Sequence, residues 1–253
     1  MEHEENRQSQ QLTLEQEQLR EHLRYKQGAA FDADYNGFTF LQFYEPSGPF
    51  LQLFWDTAYQ LSSLHRYLEY ARRYLETYLQ QGRQHGDLLA AKNTAAEVRY
   101  LYEETFLADQ TYLLPYQYQA VFLMLYTLYE NFLTDLVNLV EAEQGVVFSA
   151  KAYQGALVHQ YVQFLNQQGN LQIVFDAQTE QQFDWIRKFR NTLVHNGGRV
   201  DSSGLKKTIT ARFPHLIEHD GIVLEYEFLI EAFAVTGAMI AAVEKGYWHQ
   251  DKE

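Results

Sequence analysis

From residue 116 to 140 the chain is apolar on almost every side of a helix, with Val121, Phe122, Leu123, Met124, Leu125 and Tyr126 in unbroken succession. A helix of that composition has to be surrounded by protein, so the rest of the chain must supply the elements that wrap it. Its second half is different. At 100° per residue, Thr127, Glu130, Asn131, Thr134, Asp135, Asn138 and Glu141 gather into a sector about 140° wide. That arrangement predicts a polar stripe emerging from the core.

The wrapping elements are also helical in pattern. Leu61, Leu64, Leu68, Ala71, Leu75 and Leu79 recur at three- and four-residue steps within 51–81, the period of an amphipathic helix. Further helices are expected over 87–109, 149–167, 179–195 and 225–245. The fourth of these five opens on Thr179-x-x-Gln182, the spacing of a capping box, and Asn196-Gly197-Gly198 stops it. Before the last helix, Ile209, Ala211 and Phe213 alternate with Thr208, Thr210 and Arg212. That period of two, with Asp220-Gly221 as a turn pair, predicts a small β-hairpin insertion. The fold class is therefore mainly all-α.

A chain of 253 residues is one large domain, or one domain with an appendage. The division expected here is a helical domain over 51–253 preceded by residues 1–50. The first part of that appendage is a Gln- and Glu-rich polar arm carrying Leu12, Leu14, Leu19 and Leu23. An aromatic-rich connection follows, interrupted by Gly37, Pro46, Gly48 and Pro49. The opening MEHEENRQSQQ has no apolar segment and does not read as a secretory signal, so a cytoplasmic protein is expected. The longest uncharged apolar stretch, 232–243, falls short of the roughly 20 residues that span a bilayer. It reads as a buried helix, with no membrane partner.

Composition removes several chemistries. With no cysteine there is no disulfide framework, no thiolate zinc site and no cysteine nucleophile. No P-loop, Gly-x-Ser-x-Gly, His-Glu-x-x-His or Glu-x-x-His occurs. His215 and His219 are four apart, but beside Pro214 in an extended segment that spacing does not put both on one helical face. No metal site or cofactor is expected. The 19 Tyr and 17 Phe fit core or interface packing better than base stacking.

One expected helix separates its faces cleanly. Trp185, Ile186, Phe189 and Leu193 form an apolar stripe, while Arg190, Arg187, Asn191, Asp184, His195 and Lys188 occupy angles from 0° to about 160° on the other side. His195 therefore points away from the core in the last helical turn, and an imidazole ordinarily exchanges protons near neutrality. Arg190 supplies a permanent cation whose forked donors suit phosphate oxygens. Charge points the same way. The chain has 20 Lys and Arg against 33 Asp and Glu, a net −13, which disfavours indiscriminate nucleic-acid binding. Yet residues 183–212 hold seven basic side chains (Arg187, Lys188, Arg190, Arg199, Lys206, Lys207, Arg212) and two acidic ones, a local +5 against −18 elsewhere. A polyanion would be attracted to that one place.

The run Arg190-Asn191-Thr192-Leu193-Val194-His195 resembles the R-x4-6-H signature of HEPN domains (higher eukaryotes and prokaryotes nucleotide-binding). An upstream apolar helix with Leu128-Tyr129-Glu130-Asn131-Phe132-Leu133, a Gly-rich exit after His195 and a final apolar helix are also similar to that family, over roughly residues 55–245. The resemblance implies an antiparallel helical bundle and a metal-independent endoribonuclease of a defence or toxin–antitoxin module. It implies His195 as general acid/base, Arg190 stabilising charge on the phosphorane, and Asn191 positioning the phosphate. Glu130 is carried over as a fourth site residue. Arg187, Lys188, Arg199, Lys206 and Lys207 would hold RNA.

The resemblance also implies partners: RNA, an antitoxin or regulatory protein, and a second copy of the chain. One motif carries one imidazole, whereas assistance on both sides of a phosphodiester calls for two proton-transfer groups. A two-fold dimer whose motifs line one cleft is expected. The alternative reading is a non-catalytic helical module that binds a partner protein or a nucleotide through the same face.

Overall fold

The computed structural model describes residues 48–92, 95–200, 203–213, 216–218 and 221–248. Nearly all of the expected polar arm and connection, together with Asp201, His215, His219 and Asp220, lie outside the described residues. What is described is mostly helical. In chain order it runs α1 (Pro49–Ala91), α2 (Ala96–Gln144), a single 3-10 turn (Ala150–Ala152), α3 (Leu157–Gln168) and α4 (Ala177–Asn196). Then come α5 (Ser203–Arg212), β1 (Ile217–Glu218), β2 (Gly221–Ile222) and α6 (Tyr226–Trp248).

The first two helices form a long hairpin. Tyr102 donates to the Gly82 carbonyl, Gln117 to the Tyr67 hydroxyl, and the rings of Phe54 and Phe132 lie 5.5 Å apart, so α1 and α2 run antiparallel. Pro49 opens α1, where its missing N–H is harmless. α1 ends at Ala91, inside the span expected as one helix over 87–109, and α2 instead continues from Ala96 through Pro115 into the apolar segment. Leucine periodicity located the buried part of α1. It could not show that the helix outlasts its burial. The described side chains between Leu75 and Tyr118 are half-buried or exposed, so the outer end of the hairpin projects beyond the core.

The inner half of α2 is the central element. Val121, Phe122, Leu125, Tyr129, Leu133 and Leu136 are fully buried, wrapped by α1, α3, α4 and α6. Thr127, Asn131, Asp135 and Asn138 of the polar stripe are exposed. The closing helix α6 buries Phe228, Leu229, Phe233, Ile240 and Val243 and packs against α1, α2 and α4. By length and composition, 112–144 and 226–248 are apolar enough to cross a membrane, yet about half of each window (50% and 56%) is buried inside this fold.

Three local expectations are corrected. Residues 203–212 are helical, not the expected β-strand: Ile209 is buried and Phe213 half-buried on one helical face, while the intervening Ala211 is exposed. An i, i+4 pair had imitated alternation. Two-residue strands occur later, pairing Ile217 with Ile222. The helix expected over 149–167 begins only at Leu157, after Gly155 at φ +89°. Finally, α4 is capped by Asp176, whose carboxylate accepts from the backbone N–H groups of Gln178 and Thr179. Thr179 donates its hydroxyl to the same carboxylate at 2.5 Å and lies within the helix, not at its cap.

Candidate functional site

Phe183, Trp185, Ile186, Phe189 and Leu193 seat α4 on the core. Phe183 lies against Tyr126 and Tyr129 of α2, with centroids 5.9 and 4.8 Å apart. One turn and a half later, Phe189 meets Phe228 of α6 at 4.9 Å and Phe213 at 5.6 Å. Aromatic contacts at two levels fix the rotation of α4, which turns Arg190 toward α2 and leaves His195 outward.

Arg190 sits over the Tyr126 ring, 5.2 Å from its centroid. Its Nη2 lies 3.5 Å from Glu130 Oε2, and its Nη1 donates to Asn191 Oδ1 at 3.2 Å. The structure thus brings together Arg190, Asn191 and Glu130. Tyr126 joins them without having been singled out in the sequence, because it reads there as one more core aromatic. Burial pushes its phenol up to about 12, and the Glu130 carboxylate adds to that rise against the opposing pull of Arg190 and Arg187. It therefore remains a neutral ring beneath a permanent cation, a geometry that favours the pair.

His195 occupies the last turn of α4 and is exposed. The chain leaves it through Gly197 at φ +57° and Gly198 at φ +80°, both in the region that glycine adopts without strain. Gly198 N–H reaches back to the Thr192 carbonyl at 3.1 Å, and Ile222 N–H donates to the Gly198 carbonyl at 2.9 Å. That tie to β2 fixes the direction in which the chain departs. His195 lies five residues, about 7.5 Å of helix rise, from Arg190, and nothing among the described residues links the two side chains.

The expected RNA-binding residues separate into two groups. Asp184 accepts from Arg187 at 2.6 Å and approaches Lys188 at 2.7 Å, and Lys188 also lies over the Trp185 ring at 4.7 Å. Burial would raise the Asp184 carboxyl, but bonds from Lys188 and Arg187 outweigh it and hold the group below its ordinary value. These two cations are thus largely engaged within their own helix. Arg199 and Lys207 are exposed, and Lys206 is half-buried on α5. Among the described residues, no three His, Asp or Glu side chains gather as a metal site.

No protein-family model, curated protein or solved structure matches this chain. The chemistry of the site therefore rests on its own geometry: a half-buried cation fixed between two helices, with an amide beside it and a solvent-facing imidazole at the end of the same helix.

Proposed function

We propose that the protein is a HEPN-like, metal-independent endoribonuclease. The observation carrying this reading is the fixed Arg190 guanidinium at the α2–α4 junction, on a helix that ends in the exposed His195. A phosphate arriving from solvent would exchange with Glu130 for the forked donors of Arg190, with Asn191 beside it. The ribose 2′-oxygen would attack phosphorus as its proton leaves, and the bond to the 5′-oxygen would break as that oxygen gains a proton, leaving a 2′,3′-cyclic phosphate. His195 would serve one of these transfers and solvent water the other. Arg190 would offset charge on the phosphorane. Arg199 and Lys207, both exposed, would hold the flanking RNA.

One observation favours the second reading. Glu130, Tyr126 and Asn191 already satisfy Arg190, as they would in a helical module that binds a partner and cleaves nothing. Incubation of the full chain with total RNA in EDTA separates the two. Cleavage to 2′,3′-cyclic ends that disappears in His195→Ala supports the enzyme. RNA left intact over a wide range of salt and protein concentration supports the binding module.

A further inference from the structure

The described phenylalanines are kept from solvent in this fold, and the exposed tyrosines gather on one hairpin. Phe54, Phe122, Phe132, Phe164, Phe183, Phe189, Phe228 and Phe233 are buried, and no described phenylalanine is exposed, whereas Tyr59, Tyr67, Tyr70, Tyr74, Tyr78, Tyr100, Tyr112 and Tyr116 all are. Every one of those tyrosines lies on the α1–α2 hairpin. Five of them, Tyr59 to Tyr78, fall within about 100° around α1, and Leu113, Tyr116 and Met124 within about 80° around α2. Tyr67 of the first row and Met124 of the second line an open groove of about 670 Å³. Leu64, Leu123 and Leu128 floor it, and no charged side chain lines it. Gln117 bridges its walls by donating to Tyr67 at 2.6 Å.

We infer that this tyrosine face is where a second copy of the chain docks. Its size is sufficient. These eight residues are between 37% (Tyr78) and 72% (Tyr74) exposed. At roughly 200 Å² per large side chain they leave roughly 900 Å² in water, against the ~800 Å² each partner buries in a standard interface. The groove is its own complement, because the polar side chains lining it are Tyr, Gln, Ser, Thr and Asn, each able both to donate and to accept a hydrogen bond, while the nearby cation Arg66 lies over the Tyr59 ring outside it. Two-fold contact sets like against like, which such groups satisfy and a row of carboxylates would not. Aromatic residues and methionine without charge are also the composition of interface centres. Stacking of nucleic acid is disfavoured here, since residues 49–144 carry twelve acidic and six basic side chains.

This surface is not the motif face. Met124 and Glu130 stand about 120° apart around α2, so a two-fold contact through the groove places the two Arg190–Glu130 sites on the flanks of the interface. That differs from the facing motifs expected from the sequence. The inference does not rest on the ribonuclease reading, since a dimer of this kind brings no second imidazole to either site. Loss of cleavage in a chain that still dimerises would end that reading and leave this one intact.

Light scattering of the full chain provides the test. A mass of twice 29.7 kDa is expected at micromolar concentration, with the dissociation constant raised at least 100-fold by Tyr70→Glu and again by Met124→Glu. Both are exposed positions, and circular dichroism checks that each variant stays folded. Arg190→Glu should remain dimeric. A wild-type monomer at about 100 μM overturns the proposal, whether an oligonucleotide or the chain's own first 47 residues then proves to cover the face. So does a dimer that both variants leave intact, or one that Arg190→Glu dissociates.

Discussion

The guanidinium of Arg190 and the carboxylate of Glu130 form a 3.5 Å ion pair between α4 and α2, each side chain about a quarter exposed (27%). Partly wet pairs of this kind contribute about 0–1 kcal/mol. In a double-mutant cycle on Glu130→Gln and Arg190→Gln, thermal unfolding should therefore give a coupling below about 1 kcal/mol. A coupling of several kcal/mol would assign the pair to the scaffold. RNA binding should respond in opposite directions, strengthened by Glu130→Gln and weakened by Arg190→Gln.

His195 touches none of the other described side chains through a hydrogen bond or ion pair, so its replacement by Ala should leave stability within about 0.5 kcal/mol of wild type. RNA cleavage should fall to background in the same variant. A melting temperature lowered by many degrees would mean that the imidazole holds structure, which the geometry around it gives no reason to expect.

Legibility in the sequence followed burial. The α4 stripe of Trp185, Ile186, Phe189 and Leu193 was readable because a packed face imposes the 3.6-residue period, and Gly197 was readable because a left-handed residue must follow the helix. The span of α1 past Gln81 was not, since a projecting hairpin leaves no apolar period to follow. Ile209 and Phe213 misled because four residues is a multiple of two. Tyr126 went unnoticed for a different reason: its place beneath Arg190 is set by how α2 meets α4, and no spacing within either helix records that.

Asp176 caps α4, and its carboxyl is held below the ordinary value first by the Thr179 hydroxyl and then by backbone N–H groups. Asp176→Ala should lower the melting temperature at pH 7, because two backbone N–H groups lose their acceptor. A depressed carboxyl contributes stability in its ionised form, fully present above the unfolded-state value near 3.9 and lost as pH falls through the lower folded value. Melting curves of wild type and variant should therefore converge below about pH 4. A gap that persisted at pH 2 would show that the cap acts by something other than its charge.

Near the end of α6, a Cβ on Gly246 would lie 2.9 Å from both the Gln172 carbonyl carbon and the Ile173 nitrogen. Those atoms are backbone and cannot turn aside. Asn166 holds the same segment from the other side, bonding both the N–H and the carbonyl of Ile173 at 2.9 and 3.0 Å. Gly246→Ala should thus cost about 1–3 kcal/mol through overpacking, read as a lower midpoint in urea with an unchanged slope.

The position of α6 also bears on how the protein is made. Phe233 and Ile240, both fully buried, come from a helix that begins at residue 226 yet packs on α1, which begins at residue 49. On a ribosome releasing about 5–20 residues each second, α1 and the apolar centre of α2 emerge several seconds before the helix that closes over them. Throughout that interval, Val121 to Tyr126 stand uncovered on the side α6 will occupy, exposing the nascent chain to chaperone capture or misassembly.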